Sequence, residues 1–493
     1  MKFDKVVTKI DNDLMNYALE KAHSTGVQYA DVKWMLRASK LLVVKNETVE
    51  TNSQSKEQGI GIKTLVDGGY GFAATNILTK ESIEKTVKRA IRVAKASGKT
   101  MRNGIELVEE EVYNDKVVTH MVKDPDHIES SETIQHLIEA CQALNNDDPR
   151  IKARTATYTH WKDYMVLWTS QGTKIDQTIA VTGGGINVLA VEGRDTQLRG
   201  YPGGMRGDLS TAGYEYFESM DLVNNAPQVT KEALGLLEAK QCPAKNDATI
   251  IIKPGQLMLQ LHENGHGFEM DRAYDYEAAF AGTSFIKPHL MNKLQFGNEL
   301  VTIYADATHP GGLGTFFYDH EGVKAQKTTL VENGTLTGYM SSRETAGLQG
   351  WKRSSGSARA TGYDRMPLIR MTNINLKTGD WRYEELIEDT KDGYMMDTNV
   401  SWSIDDLRLS FQFGTEIGWR IENGEITGLV KNPSYTGITP KFWNSVSAVC
   451  NDESFKMYGT PNCGKGEPSQ VMYTGHGASP TRFENVRIGV VQQ

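Results

Sequence analysis

Residues 262–266 read His-Glu-Asn-Gly-His, and two histidines at this spacing are most useful when the segment is helical. In an α-helix, positions i and i+4 lie roughly 40° apart around the axis, so His262 and His266 can grip one metal ion from one face. Glu263 then falls beside the metal, placed to take a proton from a water. The flanks support a helix. Ala-Thr-Ile-Ile-Ile at 248–252 is a β-branched strand, and Pro254-Gly-Gln breaks it. Pro254 suits a first helical turn, because its missing N–H would be unpaired there anyway. Leu257, Leu261 and Phe268 mark an apolar face distinct from the histidines, so the helix can bury one side and present the other to a cleft. The pattern predicts a helix ending near 270–272. Gly265 and Gly267 each weaken it by about 1 kcal/mol relative to Ala, which points to close approach by another segment or a substrate.

A catalytic zinc site usually has three protein ligands and a water. Glu269 continues the histidine face as i+7 from His262, and Asp271 lies nearby. Glu277 and Glu299 stand at the longer distances some zinc peptidases use, and a distant cysteine is the remaining contender. The longer metzincin pattern fails, because position 269 is Glu and position 272 is Arg. Spacing alone leaves the third ligand open.

The rest of the chain reads as a soluble enzyme. Its 493 residues allow two or three domains. A net charge of −8 argues against a general nucleic-acid surface. No apolar run approaches the length of a membrane span, and the first residues lack the apolar stretch of a secretion signal. The four cysteines, Cys141, Cys242, Cys450 and Cys463, are scattered, which suits a reducing compartment and a cytoplasmic protein.

The expected class is α+β. Residues 1–240 read as an N-terminal α+β region with a curled antiparallel sheet, possibly two subdomains split near 105–130. Residues 241–493 read as a β-rich domain carrying the HExxH helix, with Cys242-Pro243 near the boundary. Within the first region, helices are predicted over 11–23, 79–95, 132–144 and 232–240. Strands are predicted over 30–36, 41–45, 48–51, 59–66, 69–74, 153–159, 164–169 and 178–188. Asp67-Gly68 is a hairpin signal, and the glycines at 59 and 61 read as sheet, not as a phosphate cradle. Residues 107–127 read as a connection, and the glycine- and arginine-rich run 199–207 as a loop. In the second region, Asn333-Gly334 and Asn423-Gly424 mark two further hairpins, residues 383–390 a helix, and 446–450 a core strand containing Cys450.

With these residues in hand, the chain resembles the TldD/PmbA family, on its TldD side. The resemblance runs through Ala30-Asp-Val and Leu65-Val-Asp-Gly-Gly-Tyr-Gly-Phe-Ala-Ala-Thr-Asn, then Leu261-His-Glu-Asn-Gly-His-Gly-Phe-Glu. It continues through Tyr318-Asp-His-Glu-Gly, Glu332-Asn-Gly-Thr-Leu-Thr-Gly-Tyr-Met, Arg370-Met-Thr-Asn and Asn462-Cys-Gly-Lys-Gly. It implies a zinc-dependent peptidase acting on short or unfolded peptides. It implies zinc ligands His262, His266 and Cys463, with Glu263 as general base, and leaves Glu269, offered by spacing, as the runner-up third ligand. It also implies an assembly, a heterodimer with a PmbA-like subunit that lacks the metal motif, while the HExxH spacing, one residue shorter than the family's, offers a homodimer as the alternative. Residues 370–373 would support the site or the substrate without a catalytic role.

The chain departs from the family at one point. The TldD pattern is usually HExxxH, where an i,i+5 pair sits about 140° apart on a regular helix and needs a local bulge to converge. The i,i+4 pair here needs none. Around Cys463, the Cys-Gly-Lys-Gly context predicts a loop from which a thiolate can reach a metal. His320 and His476 read as solvated loop histidines, with support of the site or contact with the substrate as the alternative for each. Two further readings stand beside the peptidase: a non-catalytic peptide-binding or regulatory subunit, and a metal-dependent hydrolase of a non-peptide amide.

Overall fold

The computed structural model describes residues 10–101, 103–278 and 282–489. It is a mixed α+β structure in which three large sheets, mostly antiparallel, carry the helices. The first sheet runs in the order Gly69–Thr75, Thr48–Val66, Tyr29–Lys45, Ile151–Thr169, Lys174–Glu192 and Asn114–Val118. The last of these lies parallel to its neighbour, inside the segment 107–127 that the sequence offers only as a connection. Its residues are mostly exposed, so it lacks the apolar alternation that marks a strand.

Periodicity splits the long strands of this sheet in two, whereas each runs through unbroken. The interrupting residues sit where the sheet passes from one core to the next. Trp34 and Leu36 pack with the helices Asn12–His23 and Lys80–Gly98. Leu42 and Val44, farther along the same strand, pack with Ser130–Ala143 and Leu222–Glu238. Between the two cores, Arg37 makes a bidentate pair with Asp163, its register partner on the adjacent strand, at 2.6 and 2.7 Å. The polar gap in the sequence is therefore a paired polar gap in the sheet.

The turn chemistry is as the sequence predicts. Asp67 and Gly68 hold φ of 51° and 73° and join Thr48–Val66 to Gly69–Thr75. Asn333-Gly334 and Asn423-Gly424 form the same left-handed pair at two more hairpins. The run 199–207 differs from its loop reading, since the strand Asp195–Tyr201 takes up its first residues.

In the second half, Asp392–Ile404, Lys245–Ile252, Thr481–Ile488, Ser434–Ile438 and Ser410–Glu422 follow one another in a sheet. The first of these also pairs with the last, which closes the five strands into a ring. A second sheet runs Thr335–Leu336, Lys327–Glu332, Ile303–Asp306, Asn373–Leu376, Gln470–Ala478 and Lys456–Lys465. The helix Pro254–Gly265 follows the strand Lys245–Ile252 and packs against strands of both sheets. All twelve of its residues are buried. Helix and sheets share one core that includes Leu257, Leu261 and Phe268 with Met371, Ile374 and Trp443.

A buried ion cluster joins the two halves. Lys63, from the first sheet, lies 3.5 Å from Asp31 on the neighbouring strand and 3.0 Å from Glu321 in the second half. Glu321 also accepts the Arg343 backbone N–H at 2.8 Å. Beside them, Lys33 Nζ lies 3.2 Å from His320 Nδ1. His320 is thus buried against the first sheet, not solvated as its polar neighbours in the sequence suggest.

Candidate metal centre

The regular helix stops at Gly265, earlier than the 270–272 predicted. A 3-10 turn, His266–Phe268, and a short helix, Met270–Ala273, follow. The His266 N–H still donates to the His262 carbonyl, so the two histidines share one continuous helical turn. Gly265 permits the close approach expected of it: a Cβ there would stand 2.5 Å from Met371 Sδ. The neighbour is thus a protein side chain.

Cys463 comes from the strand Lys456–Lys465, not from a loop. The pairing with Gln470–Ala478 slips between Thr460 and Cys463, a bulge that leaves the ladder irregular next to the cysteine. Arg370, fully buried, donates from Nη2 to the Cys463 carbonyl at 2.6 Å and so holds that backbone. Cys463 Sγ stands 3.4 Å from His266 Nε2. Ligand atoms of His262, His266 and Cys463 all lie within 4.8 Å of one another, the single such group among the described residues.

Each ring is held from behind. His262 Nδ1 lies 2.8 Å from His476 Nε2 and 3.4 Å from Thr474 Oγ1. His266 Nδ1 lies 3.1 Å from Glu269 Oε2. Both rings therefore have Nε2 left for a ligand, and the partner on Nδ1 fixes tautomer and orientation. Burial pushes His262 down to about 4 and His266 down as well, so both are neutral near pH 7. Burial pushes the Cys463 thiol up, but the His266 ring and the Arg370 guanidinium outweigh it and bring the thiol down to about 7. The donor set suits zinc: two imidazoles and a readily formed thiolate. Tetrahedral zinc would separate a thiolate sulfur from an imidazole nitrogen by about 3.6 Å, close to the observed 3.4 Å.

The carboxylates weighed from spacing do other work. Glu269 is buried with Arg272 and Lys465, 2.7 and 3.2 Å from the Oε2 that also holds His266. Burial alone would push Glu269 up, but Lys465, His266 and Arg272 hold it well below the usual carboxylate range. Asp271 pairs with Lys465 at 2.8 Å. Glu277 is half-buried and Glu299 exposed, and neither joins the group of ligand atoms. His476, read as a solvated loop histidine with a supporting role as the alternative, lies on a strand and is completely buried. Sequence reasoning missed Arg408, whose Nη1 donates to Glu263 Oε2 at 2.7 Å. Only Glu269 left a trace in the sequence, as the i+3 neighbour of His266.

His262, Glu263, His266 and Cys463 open onto a cleft of roughly 390 Å³. Met205, Leu259, Trp402 and Ile404 supply its apolar wall. Thr460 and Asn462 line it beside the cysteine strand.

Comparison with known proteins gives a consistent picture. Residues 247–490 match the PmbA/TldA metallopeptidase C-terminal domain, residues 30–94 its domain 1 and residues 123–239 its central domain. A metalloprotease of Methanocaldococcus jannaschii is 30% identical over 94% of this chain and 98% of its own length. A protein of Saccharolobus solfataricus named zinc metalloprotease TldD homolog is 25% identical over 88% of this chain and 91% of its own. Among solved structures, TldE from Thermococcus kodakarensis superposes with a TM-score of 0.73 at 15% identity, covering 97% of this chain and 99% of that one. The last likeness is one of fold.

Proposed function

The chain belongs to the PmbA/TldD metallopeptidase family, and from that premise we propose that it is a zinc-dependent peptidase that hydrolyses short or unfolded peptides. The observation that carries the reading is the convergence of His262, His266 and Cys463 within 4.8 Å at the wall of a cleft that Glu263 also lines. On this reading the three side chains hold the ion. A zinc ion bound there supplies a Lewis acid for the carbonyl and brings the pKa of a water toward neutrality. Glu263 accepts the proton of the attacking water and returns it to the departing amine. His476 and Glu269 aim the two imidazoles, which burial keeps neutral, and Arg370 keeps the cysteine strand in place. The peptide lies extended along the apolar wall, which admits unfolded chains and excludes packed ones. The catalytic half is residues 241–493, residues 1–240 are an N-terminal α+β region, and the protein assembles as a homodimer or as a heterodimer with a PmbA-like subunit. Among the described residues no helix is long and apolar enough to cross a membrane.

The test is metal content per chain in protein purified without a histidine tag, set beside cleavage of an unstructured peptide. Wild type is expected to hold close to one zinc per chain and to cleave. His266→Ala and Cys463→Ala are each expected to lose the metal and the activity together. Zinc retained by Cys463→Ala would remove the thiolate from the ligand set. A wild type that stays metal-free after added zinc would remove the peptidase reading.

A further inference from the structure

Glu263 has a partner that the proton-transfer scheme does not use. Arg408 Nη1 donates to Glu263 Oε2 at 2.7 Å, and the two side chains are only 4% and 8% exposed. The two residues lie 145 apart in sequence. Arg408 belongs to the turn between Asp392–Ile404 and Ser410–Glu422, and it lines the same cleft as Glu263. Its φ is +65°, a left-handed backbone in which Asn, Asp or Gly is the usual occupant. An arginine kept in that conformation points to use of its side chain.

The turn is pinned on both sides. The Arg408 N–H donates to the Asp405 carbonyl at 3.0 Å, and the Asp405 carboxylate accepts the N–H groups of Leu409 and Ser410 at 2.7 and 3.1 Å. The Arg408 carbonyl accepts the Thr439 hydroxyl at 2.8 Å, and that hydroxyl accepts Asn264 Nδ2 at 3.1 Å. Glu263 and the residue after it are therefore both tied to Arg408, one through the guanidinium and one through the backbone. Among the described residues no hydrogen bond occupies Glu263 Oε1, while Oε2 is held.

We infer that Arg408 is a positioning residue for the general base: it fixes Glu263 by Oε2 so that Oε1 faces the cleft as the proton acceptor. The inference rests on the zinc-peptidase reading above. A carboxylate swinging on a Glu side chain spreads over several rotamers, and a misplacement of about 1 Å at a reacting group costs on the order of 10²-fold in rate. A single charged donor on one oxygen removes that freedom and leaves the other oxygen able to take a proton.

The experiment uses zinc-loaded full-length protein and an unstructured peptide, and compares wild type with Arg408→Gln, Arg408→Lys, Glu263→Gln and the double variant Arg408→Gln/Glu263→Gln. Arg408→Gln is expected to lower kcat about 10²-fold, with zinc per chain unchanged and KM within about threefold. Arg408→Lys, which keeps the charge but not the guanidinium's reach, is expected to recover about tenfold of that loss. Adding Arg408→Gln to Glu263→Gln is expected to lower residual turnover no further, because the positioned group is already gone. A kcat within about threefold of wild type in Arg408→Gln would overturn the inference, as would a loss confined to KM, which would make Arg408 a substrate contact. Should Arg408→Gln fail to fold, Arg408→Lys decides: reduced kcat at unchanged zinc and melting temperature supports positioning, and unchanged kcat overturns it. A zinc-loaded wild type that does not cleave defeats the peptidase reading and takes this inference with it, whereas a Glu263→Gln that cleaves as well as wild type leaves the peptidase reading standing and removes Glu263 as the base, and this inference with it. Either pattern is distinct from a dead Glu263→Gln beside an indifferent Arg408.

Discussion

Replacing Glu263 by Gln is expected to lower kcat for peptide hydrolysis by about 10³-fold or more while zinc content stays near one per chain. General base catalysis contributes on the order of 10²–10⁴-fold, and the amide has the shape of the carboxylate but no affinity for a proton. The three side chains proposed to hold the ion are untouched, since their atoms converge without Glu263. The amide oxygen can still accept from Arg408 Nη1, so the 2.7 Å contact survives as a neutral hydrogen bond. Arg408, itself 4% exposed, then loses its charge partner in that contact, and a cost of about 1–3 kcal/mol in stability should accompany the substitution. The informative result is therefore a folded, zinc-loaded and somewhat less stable enzyme without turnover. Zinc by elemental analysis, a melting curve and kcat at saturating peptide separate the three properties. Turnover within about tenfold of wild type would remove Glu263 as the base and assign the proton transfer to another group.

What the sequence revealed of this centre follows its physics. His262, Glu263 and His266 are local, and five residues with helical spacing state their own geometry. The hairpins at Asp67, Asn333 and Asn423 are equally local, because a left-handed pair of residues asks for Asn or Asp followed by Gly. Cys463 lies 197 residues from His266 and carries no periodic signal, so only the resemblance of Asn462-Cys-Gly-Lys-Gly picked it out. Its placement on a bulged strand was hidden by two glycines that read as loop. His476 and His320 were misjudged for the same reason. A histidine among Thr, Gly, Asp and Glu looks solvated, and its burial is decided by strands and turns distant in sequence. Arg408 sits in a polar turn, Asp405-Asp-Leu-Arg, where nothing local distinguishes it from any other surface arginine. The long strands were cut in two for a related cause: Arg37 interrupts an apolar pattern, and its partner Asp163 lies 126 residues away.

Lys63→Met should be among the most destabilising single substitutions in the chain, at about 3–5 kcal/mol near neutral pH. Lys63 is 1% exposed and stands between two carboxylates that are hardly more so, Asp31 and Glu321 at 5% and 6%. Removing it leaves two buried negative charges from opposite halves of the chain facing each other. Burial lowers the Lys63 ammonium, but Glu321 and Asp31 outweigh it and raise the pKa above the ordinary value. The stabilisation from Lys63 is therefore fully present below the ordinary lysine pKa and does not change across the neutral range. The carboxylates set the pH dependence. Burial pushes Glu321 up, but Lys63 outweighs it and brings it down, whereas for Asp31 burial prevails and the net shift is upward. Without Lys63 both folded-state pKa values rise above their unfolded values. The penalty is then complete above those raised values and is relieved as protons bind on acidification. The gap in urea midpoint between wild type and Lys63→Met should accordingly be widest near pH 7–8 and narrow toward pH 5. Adding Asp31→Asn and Glu321→Gln to Lys63→Met should recover most of the loss at pH 7.5, because it removes the two buried carboxylates left facing each other. A Lys63→Met variant as stable as wild type at pH 7.5 would show that water or a shift of the strands reaches the carboxylates, and that this ion cluster is not what holds the two halves together.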